Sequence, residues 1–107
     1  MPLVKIEFDN ERVNAETIKI LSQAVRDIVS EVTGIDDVFV YANTSQIKIQ
    51  VAPIEIFIEM SAHKIADASS LITKIKNKIS EWKQANNFSH PINLTLIPME
   101  WKIEIGI

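Results

Sequence analysis

The chain has 107 residues, of which 47% are apolar and 23% are charged, and its formal net charge at pH 7 is −3. This length fits a single domain with a modest core, and the slight acidity gives no reason to expect a nucleic-acid partner. The absence of cysteine excludes disulfides, thiolate nucleophiles and cysteine-based metal sites. His63 and His90 are far apart and neither lies in a metal-ligand motif, so we expect no metal site.

The sequence carries no sign of secretion or membrane insertion. Lys5 and Glu7 interrupt any apolar stretch that could serve as a signal peptide. The longest apolar runs are too short to span a bilayer. We therefore expect a cytoplasmic protein without a membrane partner. The lysines in residues 74–83 are best explained as the solvated face of a helix.

The first eight residues predict a half-buried strand at 2–8, because Val4, Ile6 and Phe8 alternate with charged residues. Pro2 opens this strand, where a missing N–H costs the ladder least. Methionine aminopeptidases generally remove Met1 before a residue as small as proline, which would leave Pro2 with a free secondary amine. Burial would lower the pKa of that amine and make it a candidate acid–base group. In the alternative interpretation, Pro2 merely begins a strand.

Hydrophobic spacing predicts three further elements in the first half of the chain. Apolar residues recur at helical spacing over 14–33, with Asn14 as the N-cap and Gly34 directly after the last turn. A continuous apolar run at 38–42 predicts a buried strand. Strict alternation at 46–51 predicts a short half-buried strand.

The second half repeats this order. A strand is predicted at 54–60, and a second helix follows it, capped by either Ser61 or Asp67. Strands are then predicted at 92–97 and, from renewed alternation, at 101–107.

The chain thus reads as two β-α-β pseudo-repeats, at about 1–51 and 52–107. Two such units sharing one mixed sheet, with both helices on one face, form a single α+β domain. The short strands at 47–51 and 103–107 would be exposed apolar edges in a monomer, and the second sheet face would be uncovered. Pairing these strands with neighbouring subunits resolves both problems, so we expect a closed homo-oligomer.

In these features the chain resembles the tautomerase and macrophage migration inhibitory factor superfamily. The resemblance rests on Pro2 at the start of the first strand, on two halves of about 50 residues, and on the overall length. It covers essentially the whole chain as a pattern, and the stretches 39–60 and 92–99 look closest to a poorly characterised bacterial branch. The resemblance implies a homotrimer whose amino-terminal prolines lie in pockets between subunits. It also implies keto–enol chemistry on a small molecule without a metal or organic cofactor.

The resemblance identifies Pro2 as the catalytic base or acid. Arg12 lies ten residues further on, where the superfamily has an arginine that binds a substrate carboxylate; the alternative is a solvated turn residue. Phe39 stands where a second substrate-binding arginine would fall. Tyr41 and Trp101 are candidates to line an apolar pocket beside Pro2, although aromatic residues in strands more often belong to the core.

Two functions follow from this reading. The first is a tautomerase or isomerase acting on an enolisable, anionic carbonyl compound, with Pro2 as acid–base group. The second is a trimeric binding or structural module of the same fold that has lost catalysis, which the apolar Phe39 favours. A nucleic-acid-binding sheet is a distant third, because Lys5 and Lys48 are too few for a basic sheet face.

Overall fold

The computed structural model describes all residues, 1–107, and contains one sheet, two long helices and a short 3₁₀ turn. In chain order the elements are β1 (Leu3–Phe8), α1 (Ala15–Thr33), β2 (Phe39–Asn43), β3 (Ile54–Ser61), the 3₁₀ turn (Ala62–Lys64), α2 (Ala68–Ala85) and β4 (Asn93–Met99). None of the helices combines the length and apolar composition needed to cross a membrane.

The four strands form a mixed sheet in the order β2-β1-β3-β4. Each half contributes one parallel pair, β1 with β2 and β3 with β4, and the halves join through the antiparallel pair β1–β3 in the middle. The helices pack against each other, α1 also against β2 and α2 against β4. The predicted α+β class, with one mixed sheet and two helices on one face, is therefore confirmed.

The core lies between the helices and one face of the two central strands. Val4 and Ile6 of β1 are fully buried, as are Ile54, Ile56 and Ile58 of β3. Burying each of these side chains contributes about 1.5–3 kcal/mol to folding. The alternate residues of the same strands point to the helix-free face, where Lys5 Nζ pairs with Glu59 Oε2 at 3.2 Å.

Both helices begin at polar caps that the sequence offers. Asn14 Oδ1 accepts a hydrogen bond of 2.8 Å from the Thr17 N–H, and Gly34 ends α1 in the left-handed conformation at φ 71°. Of the two candidate caps for α2, the structure selects Asp67, whose Oδ1 accepts from the Ser70 N–H at 3.1 Å. Ser61 instead ends β3, because a 3₁₀ turn intervenes before the helix.

The prediction that the run at 38–42 is a buried strand is wrong in part. The strand exists at Phe39–Asn43, but it forms an edge of the sheet. Val38 is buried and Val40 packs against the core, whereas Phe39 and Tyr41 are 43% and 56% exposed on the other face. Because every residue of this run is apolar, the sequence does not show which side chains face the core and which face outward.

The predicted strands at 46–51 and 101–107 have no strand partner within the chain. Residues 46–51 contain bends at 46–47 and 49–50, and the last seven residues have no regular structure. Their isoleucines are among the most exposed apolar side chains, with Ile47 at 86% and Ile49 at 97%. Alternation produces a strand only where a neighbouring backbone supplies hydrogen bonds, and one chain supplies none here. Pairing with other subunits stays a prediction.

Candidate active site

Pro2 lies buried directly before β1, a central strand of the sheet. Its carbonyl oxygen accepts a hydrogen bond of 3.1 Å from the Phe39 N–H, which ties it to the start of β2. The next residue, Leu3, faces Phe39 on β2 and Glu59 on β3. Pro2 therefore lies at the end of the sheet where β1 and β2 begin and where β3 and β4 finish.

Trp101 belongs to the same end of the sheet as Pro2, because it follows the last residues of β4. It is half-buried and lines a cavity of about 570 Å³ together with His63 and Lys102. His63 Nε2 lies 2.9 Å from Ser61 Oγ at the end of β3. This end of the sheet thus presents apolar, basic and hydroxyl groups together with the acidic Glu100 of the same cavity.

The structure brings Phe39 to the Pro2 end and places Tyr41 further away. Phe39 is opposite Leu3, and Tyr41 is opposite Lys5, two residues further along the strands. Two residues of strand span about 7 Å. Both aromatic rings lie on the helix-free face and are largely exposed, so neither belongs to the core of the single chain.

Arg12 lies at the opposite end of β1 from Pro2. Asp9 is seven positions further along the extended chain than Pro2, which corresponds to about 23 Å at about 3.3 Å per residue. Arg12 Nε lies 3.0 Å from Asp9 Oδ2, and the Arg12 side chain is 52% exposed. One chain therefore does not bring Arg12 and Pro2 together around a small molecule.

A charged cluster surrounds Asp9, a residue that is only 4% exposed. Asp9 Oδ1 accepts hydrogen bonds from Lys48 Nζ at 3.0 Å and from the Glu11 N–H at 3.1 Å. Lys48 Nζ also donates to Asn10 Oδ1 at 2.6 Å. The hydrogen bonds from Lys48 and Glu11 hold the pKa of Asp9 below its ordinary value, and the charges of Lys48 and Arg12 add to this against the cost of desolvation.

The sequence patterns single out Arg12 in this stretch but not Asp9, whose role as an anchor is visible only in the structure. Asp9 follows β1 directly, and its backbone N–H donates to the Pro53 carbonyl oxygen at 3.0 Å. Lys48 is separated from Asp9 by 39 residues. No local spacing rule relates residues so far apart, so only the fold reveals their contact.

A cavity of about 490 Å³ adjoins this cluster on the helix-free side of the sheet. Lys48 forms part of its wall, and Glu7 and Glu55, which face each other across β1 and β3, form another. Glu55 Oε1 accepts a hydrogen bond of 2.8 Å from Asn93 Nδ2. No group of three or more His, Asp or Glu residues is arranged to hold a metal ion.

Comparison with known proteins finds similarity at the level of structure. No family model matches the sequence, and no curated protein sequence matches it. Malonate semialdehyde decarboxylase, which was also solved with alanine in place of a proline at its first position, superposes with a TM-score of 0.70 at 12% identity, over 98% of this chain and 92% of that one.

Two further structures show the same similarity. The wild-type asymmetric trimer of a fused 4-OT matches with a TM-score of 0.67 at 11% identity, over 94% of this chain and 91% of that chain. A macrophage migration inhibitory factor-like protein from Entamoeba histolytica matches with a TM-score of 0.60 at 18% identity, over 96% and 93% of the two chains. These similarities, together with the order of the strands and helices, identify the fold as that of the tautomerase and macrophage migration inhibitory factor superfamily.

Proposed function

We propose that this chain is a tautomerase or isomerase that moves a proton between carbon and oxygen of a small, enolisable, anionic carbonyl compound. Pro2, freed by removal of Met1, is the acid–base group. The observation that supports this most directly is the burial of Pro2 at the start of a central strand, in a fold shared with tautomerase-superfamily proteins. The reaction requires no metal and no organic cofactor.

The proposed chemistry depends on the charge state of the Pro2 amine. A buried secondary amine loses part of its hydration, which disfavours the ammonium form and lowers the pKa. An acid–base group works best when its pKa lies near the working pH. The neutral amine removes a proton from the carbon next to the carbonyl, and the resulting ammonium returns a proton to the oxygen. The reaction is an isomerisation, so all atoms balance.

The proposed assembly is a homotrimer, which is what would unite Pro2 with Arg12. Their separation within one chain exceeds the length of a small substrate, so the Arg12 that binds the substrate carboxylate would come from a neighbouring copy. The exposed isoleucines of 47–51 and 103–107 support association, because water is an unfavourable environment for such side chains. The fused 4-OT of the same fold is a trimer.

The pocket in this proposal is completed by aromatic side chains. Phe39 contacts the Pro2 backbone through its N–H and presents an exposed ring, and Trp101 lines a cavity at the same end of the sheet. Tyr41 lies further along β2 and would meet only the distal part of a substrate or an adjoining copy.

A trimeric binding or structural module without catalysis is the second candidate. Phe39 favours it, because an apolar ring stands where the superfamily resemblance places a second arginine. A module of this kind would retain the assembly and the pocket but would not depend on the amine of Pro2.

Ketonisation of the enol of phenylpyruvate tests the catalytic proposal, with Pro2→Ala compared with Pro53→Ala as a matched control. Pro53 precedes β3 as Pro2 precedes β1, but its nitrogen is an amide and lacks basicity. We expect Pro2→Ala to lose a factor of about 10² to 10⁴ in rate and Pro53→Ala to keep the parent rate. Equal rates in the parent and in Pro2→Ala, or an intact mass that retains Met1, would leave the binding module as the function.

A further inference from the structure

Two cations share one buried carboxylate at the far end of β1. Lys48 Nζ lies 3.0 Å from Asp9 Oδ1, and Arg12 Nε lies 3.0 Å from Asp9 Oδ2. Each carboxylate oxygen of Asp9 therefore has its own cation, and the adjoining cavity that Lys48 lines also has Glu7 and Glu55 in its wall. A buried carboxylate requires compensation, but it does not require two cations.

The two cations have different surroundings. The Lys48 side chain is only 16% exposed, and its ammonium donates both to Asp9 and to Asn10. The Arg12 side chain is 52% exposed, and Asp9 is its one ion-pair partner. A guanidinium carries five N–H donors, so contact at Nε leaves the terminal nitrogens available. Lys48 is therefore the fixed partner of Asp9, and Arg12 is the cation that can bind another anion.

We propose that Lys48 is a specificity-determining residue, which by neutralising Asp9 leaves Arg12 able to bind the carboxylate of an anionic substrate. This inference rests on the proposed function. The negative charge of Asp9 repels a substrate carboxylate that approaches the terminal nitrogens of Arg12, and Lys48 weakens this repulsion by neutralising Asp9.

Asp9 is the positioning residue in this arrangement. Its backbone carbonyl oxygen accepts from the N–H groups of Arg12 at 3.1 Å and Val13 at 2.9 Å, which fixes the turn that carries Arg12. Its Oδ2 then fixes the Nε edge of the guanidinium.

The test compares the enols of phenylpyruvate and of its methyl ester, in which a methyl group replaces the negative charge of the carboxylate. In Lys48→Met, Asp9 retains Arg12 as its sole side-chain cation. We therefore expect KM for the phenylpyruvate enol to rise about tenfold, the change that corresponds to one lost charge-assisted contact. KM for the ester and kcat for both substrates should change less than twofold. Lys48→Arg retains the charge and should restore the parent KM.

Lys78→Met is the matched control, since it removes an equally charged side chain that pairs with Glu31 on the helical side of the molecule. It should leave KM for both substrates unchanged. An equal rise in KM for acid and ester in Lys48→Met, no rise for either, or failure of Lys48→Arg to restore KM would overturn the inference.

Two further measurements separate this inference from the proposed function. Retention of the rate in Pro2→Ala contradicts the proposed function whatever Lys48 does. The inference is then decided by adding benzoate to the protein and following the ¹H–¹⁵N resonance of the Arg12 Nε–H group. This resonance is assigned by its absence in Arg12→Lys. About tenfold more benzoate should be needed in Lys48→Met than in the parent. An unchanged titration, or no response of this resonance in the parent, would contradict the inference.

Discussion

The two ends of β1 bury different kinds of group in different ways. At the first end, Pro2 is buried and its carbonyl oxygen accepts one backbone hydrogen bond from Phe39. At the second end, Asp9 is buried beneath two cations and a backbone N–H. Burial of a charge requires partners, whereas burial of a neutral group does not. The first end therefore favours the neutral form of a Pro2 amine, as an acid–base group needs. The second end stabilises the ionised form of Asp9.

The largest expected effect concerns the assembly that would bring these two ends together. The double substitution Ile103→Lys and Ile105→Lys places two charges per copy in the proposed subunit contact. We expect the proposed trimer to dissociate and the Pro2-dependent rate to fall with it, because dissociation would take away the Arg12 that the proposal draws from a neighbouring copy. Sedimentation equilibrium at micromolar concentration measures the change.

The matched control for this prediction is Ile20→Lys, which alters an isoleucine that is 56% exposed on α1. It should leave the mass of the particle unchanged. A parent protein that sediments as a folded monomer would rule out the trimer directly.

The middle of β1 is packed in the core between its two ends, so a cavity there should lower the stability of the whole domain. Ile6 is fully buried, and Ile6→Ala should lower the free energy of unfolding by about 2–5 kcal/mol. Ile20→Ala, at an exposed position, should change it by about 0.5 kcal/mol or less. Urea denaturation followed by circular dichroism measures both values. A similar loss in the two variants would mean that Ile6 is not part of a packed core.

Acid should affect the Asp9 end. The folded-state pKa of Asp9 lies below its ordinary value of 3.8. The ionised carboxylate therefore stabilises the fold above that ordinary value, and this contribution is lost as the pH falls through the folded-state pKa. In urea denaturation between pH 7 and pH 3, Asp9→Asn should lose less stability on acidification than the parent.

Asp27→Asn is the comparison for this experiment, because the Asp27 side chain is 71% exposed and pairs only with Arg26. It should show the same pH dependence as the parent. If Asp9→Asn also retains the parent's pH dependence, the buried carboxylate is not the acid-sensitive group.

The smallest expected effect distinguishes the exposed Lys5 of β1 from the half-buried Lys48 that pairs with Asp9. Lys5 makes a single ion pair with Glu59 and is 46% exposed, so Lys5→Met should change the free energy of unfolding by less than about 1 kcal/mol. Lys48→Met should cost more, because it removes a donor shared by Asp9 and Asn10. Thermal unfolding of the two variants in parallel tests the order, and the reverse order would contradict the role assigned to Lys48.

The fold could be predicted from sequence where local patterns determine it. The spacing of Ile18, Leu21 and Val25 indicates one face of a helix, and Asn14 and Gly34 mark its ends within one residue. The repetition of the strand–helix–strand order predicts a shared sheet, and it does so without any information on distant contacts.

The site could be predicted only in part, for a physical reason. Pro2 is visible because its position in a strand is local information. The Asp9–Lys48 contact joins residues 39 positions apart, and the exposure of Phe39 depends on β2 being an edge strand. Such features arise from the assembled sheet, so no pattern in a short window contains them. The proposed role of Arg12 depends on other copies of the chain, and the roles of Arg12 and Trp101 both stay predictions.

The antiparallel contact between β1 and β3 relates the two halves of the chain by an approximate twofold axis. Pro2 and Pro53 each stand immediately before one of these strands and are near-equivalent under that axis. Chain connectivity breaks the equivalence, because the peptide bond before Pro53 permanently removes the basicity of its nitrogen. A chain that joins the two halves can therefore present one reactive proline amine, whereas two separate halves, each with its own terminus, could present two. Both prolines keep a backbone carbonyl oxygen, and that of Pro53 accepts a hydrogen bond from the Asp9 N–H at the opposite end of β1.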